Sequence, residues 1–215
     1  MTCGIPLPSG SDPFTVTSEA GNIWYHVFCN EKHPIDERTF NEGWGDTRFS
    51  PIFEDDGKTP VHTYYLASTP EGAIMESLLH DVPLNSPGSI ELNLLSSFYV
   101  VTLALVANID IVNLHSKFLP KLGLSRSLLI ESLPPCYPET RLWAKAAYLQ
   151  NITAQGIGYG SRRDDSARCL MIFRQRLVGL ELEPTFNIVD VECLAANPRR
   201  AEVFQLAKRL GVRIL

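Results

Sequence analysis

TYYLASTPEGAIMESLLHD, residues Thr63 to Asp81, is the stretch whose reading decides the fold. Thr63 to Ala67 is aromatic and alternating, which predicts a strand. Thr69 stands where an N-cap is needed, and Pro70 takes the first helical position, where a missing N–H costs nothing. Ile74, Met75, Leu78, Leu79 and Val82 then recur at helical spacing, predicting a buried stripe. Glu76 lies off that stripe, on a side shared with Thr69, Gly72 and Ala73. That side is small and polar, so another group can approach the helix backbone closely. A strand, a tight turn and a helix with a carboxylate on its thin side form the unit to which the rest is fitted.

Upstream, residues 1–21 are rich in Pro, Ser and Gly and read as a flexible arm. NIWYHVF, Asn22 to Phe28, predicts a first buried strand. A long irregular passage follows, punctuated by Pro34, Gly43, Gly45 and Pro51, with GWGDTRFSP and its Arg48 in the middle. Glycine-flanked loops are where backbones approach ligands. Downstream, SFYVVTLALVANIDI, Ser97 to Ile111, is β-branched and aromatic and predicts a central strand with its continuation. A short helix is expected within Lys117 to Leu129. Pro134, Pro135 and Pro138 form a rigid link into a helix over Glu139 to Gln150. In GIGYGSRRDDSARCLMIF, Ile157 to Tyr159 and Cys169 to Phe173 predict strands, with a polar loop from Ser161 to Ser166 between them. Late strands are expected over Leu177 to Glu181 and Phe186 to Val191. A final helix is expected to be capped by Asn197, started by Pro198 and stopped by Gly211. Without a repeat or a low-complexity linker, this pattern is one domain that mixes strands and helices.

The 215 residues are 45% hydrophobic and 20% charged, a globular composition. A net charge of −5 argues against nucleic acid as the main ligand. From Ser161 onward ten Lys and Arg face seven Asp and Glu, so the C-terminal third is mildly basic. Five cysteines without a CxxC pair suggest neither a disulfide framework nor a zinc cluster, and point to a reducing cytosol. The histidines at 33, 62, 80 and 115 lack metal-ligand spacing, so no metal is inferred. The start of the chain does not read as a signal peptide, and Phe98 to Ala107 is too short to span a bilayer. The expectation is a soluble, cytoplasmic protein.

GWGDTRFSP with Arg48, YLASTPEGAIMES with Glu76 and GIGYGSR with Ser161 occur in the order and setting of the RES domain, which is named for an arginine, a glutamate and a serine. The chain resembles that family from about Tyr25 to Phe173, within a domain spanning 22–215 whose last strands and capping helix occupy 174–215. The resemblance implies an α+β fold with a mixed β core like that of ADP-ribosyltransferases, flanked by helices. It implies an enzyme that binds NAD+ and splits the nicotinamide–ribose bond, with phosphate, water or a protein as acceptor. It also implies a toxin of a bacterial toxin–antitoxin pair, neutralised by an Xre-like antitoxin; a homo-oligomer stays open. Arg48, Glu76 and Ser161 become the expected catalytic residues, and Tyr65, Tyr25, His26 and Arg162 expected ligand contacts. The family often has Arg where His26 stands, and a neutral imidazole contributes less to a diphosphate site.

The chemistry is consistent with those residue types. Nicotinamide leaves NAD+ as a neutral molecule, so no general acid is needed, unlike ordinary glycoside hydrolysis. One carboxylate, Glu76, suffices to stabilise the cationic ribose and hold a hydroxyl. Arg48 offers a planar fork to phosphate oxygens. Ser161 can donate one hydrogen bond to ribose or phosphate, and Tyr65 a stacking surface. Of Tyr64 and Tyr65, adjacent on a strand, one is expected in the core. Cys169 reads as packing rather than as a nucleophile. A protein-directed transferase and a silent nucleotide-binding module remain the competing readings.

Overall fold

The computed structural model describes residues 3–31, 34–83 and 88–215. The elements, in chain order, are β1 (Val16–Glu19), β2 (Ile23–Cys29), β3 (Thr63–Ala67), α1 (Pro70–Met75), β4 (Ser89–Ile90), β5 (Phe98–Leu105) and β6 (Ile109–Asn113). There follow α2 (Arg126–Leu129), α3 (Tyr137–Gln150), β7 (Gly156–Gly160), β8 (Arg168–Phe173), β9 (Phe186–Cys193), α4 (Arg199–Leu210) and β10 (Arg213–Ile214). Eight strands form one sheet in the order β1-β6-β7-β8-β3-β2-β5-β9, and β10 pairs with β4 in a second, parallel pair. Within the large sheet β6 and β7 run parallel and the other pairs antiparallel. This is a mixed α+β domain.

The connections force the sheet to curl. β1 and β2 lie five places apart in the strand order, as do β6 and β5. In a flat sheet five places are roughly 24 Å. Yet Glu19 and Ile23 are separated by three residues, as are Leu105 and Ile109, and such a link reaches about 14 Å at most. The ends of the sheet therefore approach one another. The curl encloses a core of Trp24, Tyr64, Leu66, Leu103, Ile111 and Leu170. Alternation in β3 sends Tyr65 and Ala67 to the opposite face, and Ala67 joins Phe49, Trp143, Tyr159 and Cys169 in a second cluster against α3. A third cluster packs the α1 stripe, Ile74, Met75, Leu78 and Leu79, against Val203 and Leu206 of α4.

The decisive stretch folds largely as its sequence reads. β3 has the expected bounds, Thr69 Oγ1 accepts the N–H of Gly72 at 3.0 Å, and Pro70 opens the helix. The helix is shorter than its hydrophobic period, ending at Met75 and continuing as turns to Val82. Two side chains draw the carbonyls outward: Ser77 Oγ donates back to Ala73 O at 2.6 Å, and Arg163 Nη1 donates to Val82 O at 2.8 Å. The close approach to the thin side of α1 is real, but the approaching group belongs to the chain itself. A Cβ on Gly72 would stand 2.6 Å from Cβ of Ala167 in the loop after β7.

Several expectations are corrected. The arm is docked: Ile5 is buried, Val16–Glu19 pairs with β6, Trp143 Nε1 donates to Pro6 O at 2.8 Å, and Cys3 forms a disulfide with Cys136. That pair is 133 positions apart and left no spacing signal; Cys29, Cys169 and Cys193 are free. Cysteine usage thus no longer argues for a reducing compartment. Ser97 to Ile111 is not one strand and its continuation but β5 and β6, divided where Val106 N turns to Thr185 O at 3.0 Å. Leu177 to Glu181 holds a short 3-10 turn, Val178–Leu180, rather than a strand, because Gly179 (φ 68°) and Leu180 (φ 62°) both leave extended geometry. The final helix begins at Arg199 after Pro198, without a side-chain cap from Asn197, and Gly211 (φ 70°) ends it. In α3 the buried side chains are Tyr137, Thr140, Trp143, Ala144, Ala146, Ala147 and Tyr148, while Leu142 is exposed. His33 and the connection at 84–87 lie outside the described residues.

Candidate active site

The irregular passage from Pro34 to His62 is held at many points. Asn41 pairs with Thr63 through both backbone groups, and its Oδ1 accepts the N–H groups of Gly43 (2.8 Å) and Trp44 (2.7 Å). Thr47 closes a four-residue turn by accepting Ser50 N at 3.1 Å and donating its own N–H to Ser50 O at 2.9 Å. α3 carries this turn: Thr140 Oγ1 donates to Arg48 O, Arg141 pairs with Asp46, and Tyr148 donates to Glu54 at 2.6 Å. Arg48 is thereby placed in the interior, 4% exposed, with its guanidinium carbon 5.7 Å from the centre of the Tyr137 ring. Its Nε and Nη2 are buried without hydrogen-bond partners. A guanidinium held dry and unpaired is costly unless something anionic meets it.

Glu76 is held just as firmly. Its Oε1 accepts Ser161 Oγ at 2.5 Å and the backbone N–H of Arg162 at 2.9 Å. Ser161 Oγ in turn accepts the N–H groups of Arg163 and Asp164, both at 3.0 Å, a hydroxyl-centred turn. The loop is tied back to α2 by Arg126 Nη2, which donates to Ser161 O at 2.8 Å. Among the described residues Glu76 Oε2 makes no hydrogen bond. The carboxylate is thus fixed through one oxygen.

Arg48 and Glu76 line one cavity of about 400 Å³, together with Tyr65, Tyr25 and His26. Its size suits a small organic ligand. Ser161 and Arg162 do not line it. Ser161 is fully buried behind Glu76, so its donor goes to the carboxylate rather than to a ligand. The three motif residues are therefore brought together, but in two layers. Thr47, Trp44 and Tyr159 also line the cavity; they stand inside the motifs GWGDTRFSP and GIGYGSR, but the sequence reading does not name them as site residues. Thr47 Oγ1 and the Tyr65 hydroxyl are 3.0 Å apart, which fixes the tyrosine ring.

Burial sets the protonation states. It pushes the Tyr65 phenol up to about 12 and raises that of Tyr159 well above its ordinary value. It also raises the Cys169 thiol, with Glu76 adding to the effect, so this thiol is protonated and inert at neutral pH. Tyr64 is the core member of its pair: it is 1% exposed and donates to Glu37 O at 2.7 Å. His26 stacks on Tyr64 at 4.0 Å and shares a 2.7 Å hydrogen bond between Nδ1 and Tyr65 O. Burial lowers its pKa to about 4, so it enters the cavity as a neutral ring.

Two expected results follow. Ser161→Ala frees Glu76 and strands the N–H groups of Arg163 and Asp164; stability should fall by roughly 2–4 kcal/mol in a denaturant melt. The pH dependence has a definite sign. An imidazole at about 4 in the folded state, against 6.5 as its ordinary value, binds its proton more readily in the unfolded chain. Its contribution is full above pH 6.5 and is lost as the pH falls toward 4. His115, also lowered to about 4, adds to this loss. The melting temperature should fall over that window, and less in His26→Gln; equal slopes would refute the assignment.

A family model described as the RES domain matches residues 23–205, so β9 and half of α4 lie within the matched region as well as all three motifs. A chain in the crystal structure of the M. tuberculosis MbcT–MbcA toxin–antitoxin complex is similar in structure, with a TM-score of 0.59 at 14% sequence identity, covering 86% of this chain and 92% of that one. That identity carries the fold alone. No curated protein matches the sequence. Among the described residues no group of three metal-ligating side chains converges, and no helix is long and apolar enough to cross a membrane. With most of its length matched, with Arg48 and Glu76 on one cavity and with Ser161 hydrogen-bonded behind the glutamate, the chain belongs to the RES-domain family.

Proposed function

We propose that this protein degrades NAD+ by cleaving the nicotinamide–ribose bond. The observation that carries the reading is a carboxylate fixed through one oxygen, in the same cavity as a buried guanidinium whose nitrogens lack partners. The bond to be broken joins a cationic ring nitrogen to C1′ of ribose. Its electron pair leaves with neutral nicotinamide, and positive charge develops on the ribose. Glu76 Oε2 stabilises that charge, and a preorganised carboxylate needs no rearrangement as the charge appears. Arg48 holds phosphate oxygens of the dinucleotide or an incoming inorganic phosphate. Tyr65 and Tyr25 offer aromatic surface to the nicotinamide ring. No step requires a metal ion.

In this reading the core works like that of the ADP-ribosyltransferases, with phosphate or water as acceptor, and the protein is the toxin of a toxin–antitoxin pair acting in the cytoplasm, where NAD+ is found. The structural likeness to a chain from a toxin–antitoxin complex supports an antitoxin partner. The test is nicotinamide release from NAD+ with and without phosphate. Release in either condition supports the reading. Label from NAD+ appearing on a protein would make it a transferase instead, and no release in any condition would overturn enzymatic activity.

A further inference from the structure

The segment after Glu76 brings a second piece of chemistry to the cavity. His80 and Asp81 line it along with Glu76. His80 Nδ1 stands 2.8 Å from Asp81 Oδ1, and the His80 side chain is 22% exposed. A carboxylate only accepts, so Nδ1 is the donor in this contact and Nε2 is the ring nitrogen left over. The backbone is held as well: His80 N donates to Ser77 O at 3.1 Å, and the Arg163 guanidinium donates to the carbonyls of His80 and Val82. Arg163 N also donates to Ser161 Oγ. One loop therefore fixes both the carboxylate of Glu76 and the peptide that carries His80. A base hydrogen-bonded to an acid, lining the same cavity as the group that stabilises the ribose cation, is an arrangement that serves a water nucleophile.

We propose that His80 is the general base that activates water for attack on ribose, so that hydrolysis is intrinsic to this site. The inference rests on the NAD+-cleaving reading and adds the acceptor to it. As the C1′–N bond breaks, its electron pair leaves with nicotinamide. In the same step a water oxygen bonds to C1′, and its proton passes to His80 Nε2 and on to solvent. The products are nicotinamide, ADP-ribose and one proton. Glu76 keeps its ionic role throughout and transfers no proton.

The test exploits a difference among nucleophiles: water must lose a proton, whereas azide is already an anion and needs no base. Nicotinamide release by the full chain is followed in phosphate-free buffer for the native protein and for His80→Ala, with and without azide. Native protein should release nicotinamide unaided. His80→Ala should release it about 100-fold more slowly, and azide should restore the rate to within about tenfold while yielding the ribosyl azide, visible by mass. His80→Gln, which keeps most of the side-chain volume, repeats the measurement should the alanine variant unfold. Folded variants with native activity would overturn the proposal, as would lost activity that azide does not restore, since a purely structural role gives azide nothing to replace. Native release only in the presence of phosphate would overturn the role of His80 and leave NAD+ cleavage standing. No release under either condition would overturn both.

Discussion

Glu76→Gln is expected to cut nicotinamide release by about a thousandfold, at the upper end for losing one preorganised electrostatic group, with the fold unchanged. The substitution isolates charge from shape. A glutamine side-chain oxygen still accepts Ser161 Oγ and the Arg162 N–H, the two bonds that hold Oε1. What disappears is the negative charge facing the ribose as nicotinamide departs. A melting temperature close to native, with turnover lost and substrate still bound, is therefore the result to look for by calorimetry and steady-state kinetics. Substantial activity in the folded variant would remove Glu76 from the reaction, and with it the proposed chemistry. A stability loss comparable to that expected for Ser161→Ala would instead mean that the charge itself holds the loop in place.

Arg48→Met should move activity and stability in opposite directions. Arg48 is 4% exposed, and two of its three guanidinium nitrogens are buried without partners. Methionine has similar length, tolerates irregular surroundings and keeps the apolar contact with Tyr137. Removing unsatisfied buried donors should stabilise the free protein by roughly 1–3 kcal/mol. The same change removes the anion contact, so kcat/KM should fall by about 100-fold, the scale of losing a charged hydrogen-bond partner. Phosphate or NAD+ should raise the melting temperature of the native protein, as any ligand of the folded state does, and have little effect on the variant. A variant less stable than native would show that Arg48 is a structural ion.

The sequence established much of this locally. Thr69, Pro70 and the alternation of Thr63 to Ala67 specify a strand, a cap and a helix start from neighbours alone, and the structure has them where they were read. The three motifs could be followed because the residue types and their order are themselves informative; Arg48 and Glu76 line one cavity and Ser161 stands behind it. Less was legible wherever long-range contacts compete with local preference. The helix over the apolar stripe stops early, because Ser77 and an arginine 83 positions away from His80 take its carbonyls. The late strand at Leu177 fails at two positive φ angles.

By itself, then, the sequence determined the alternation of strands and helices, the mixed class of the fold, and which arginine, glutamate and serine to follow. Only the tertiary structure decided their division of labour. Ser161 hydrogen-bonds the carboxylate of Glu76, two nitrogens of Arg48 are buried without partners, burial keeps His26 neutral, and His80 lines the same cavity with its Nδ1 against Asp81. Caps and periods are set by residues within a turn of one another, whereas burial and hydrogen-bond partnership depend on segments that meet only when the sheet curls.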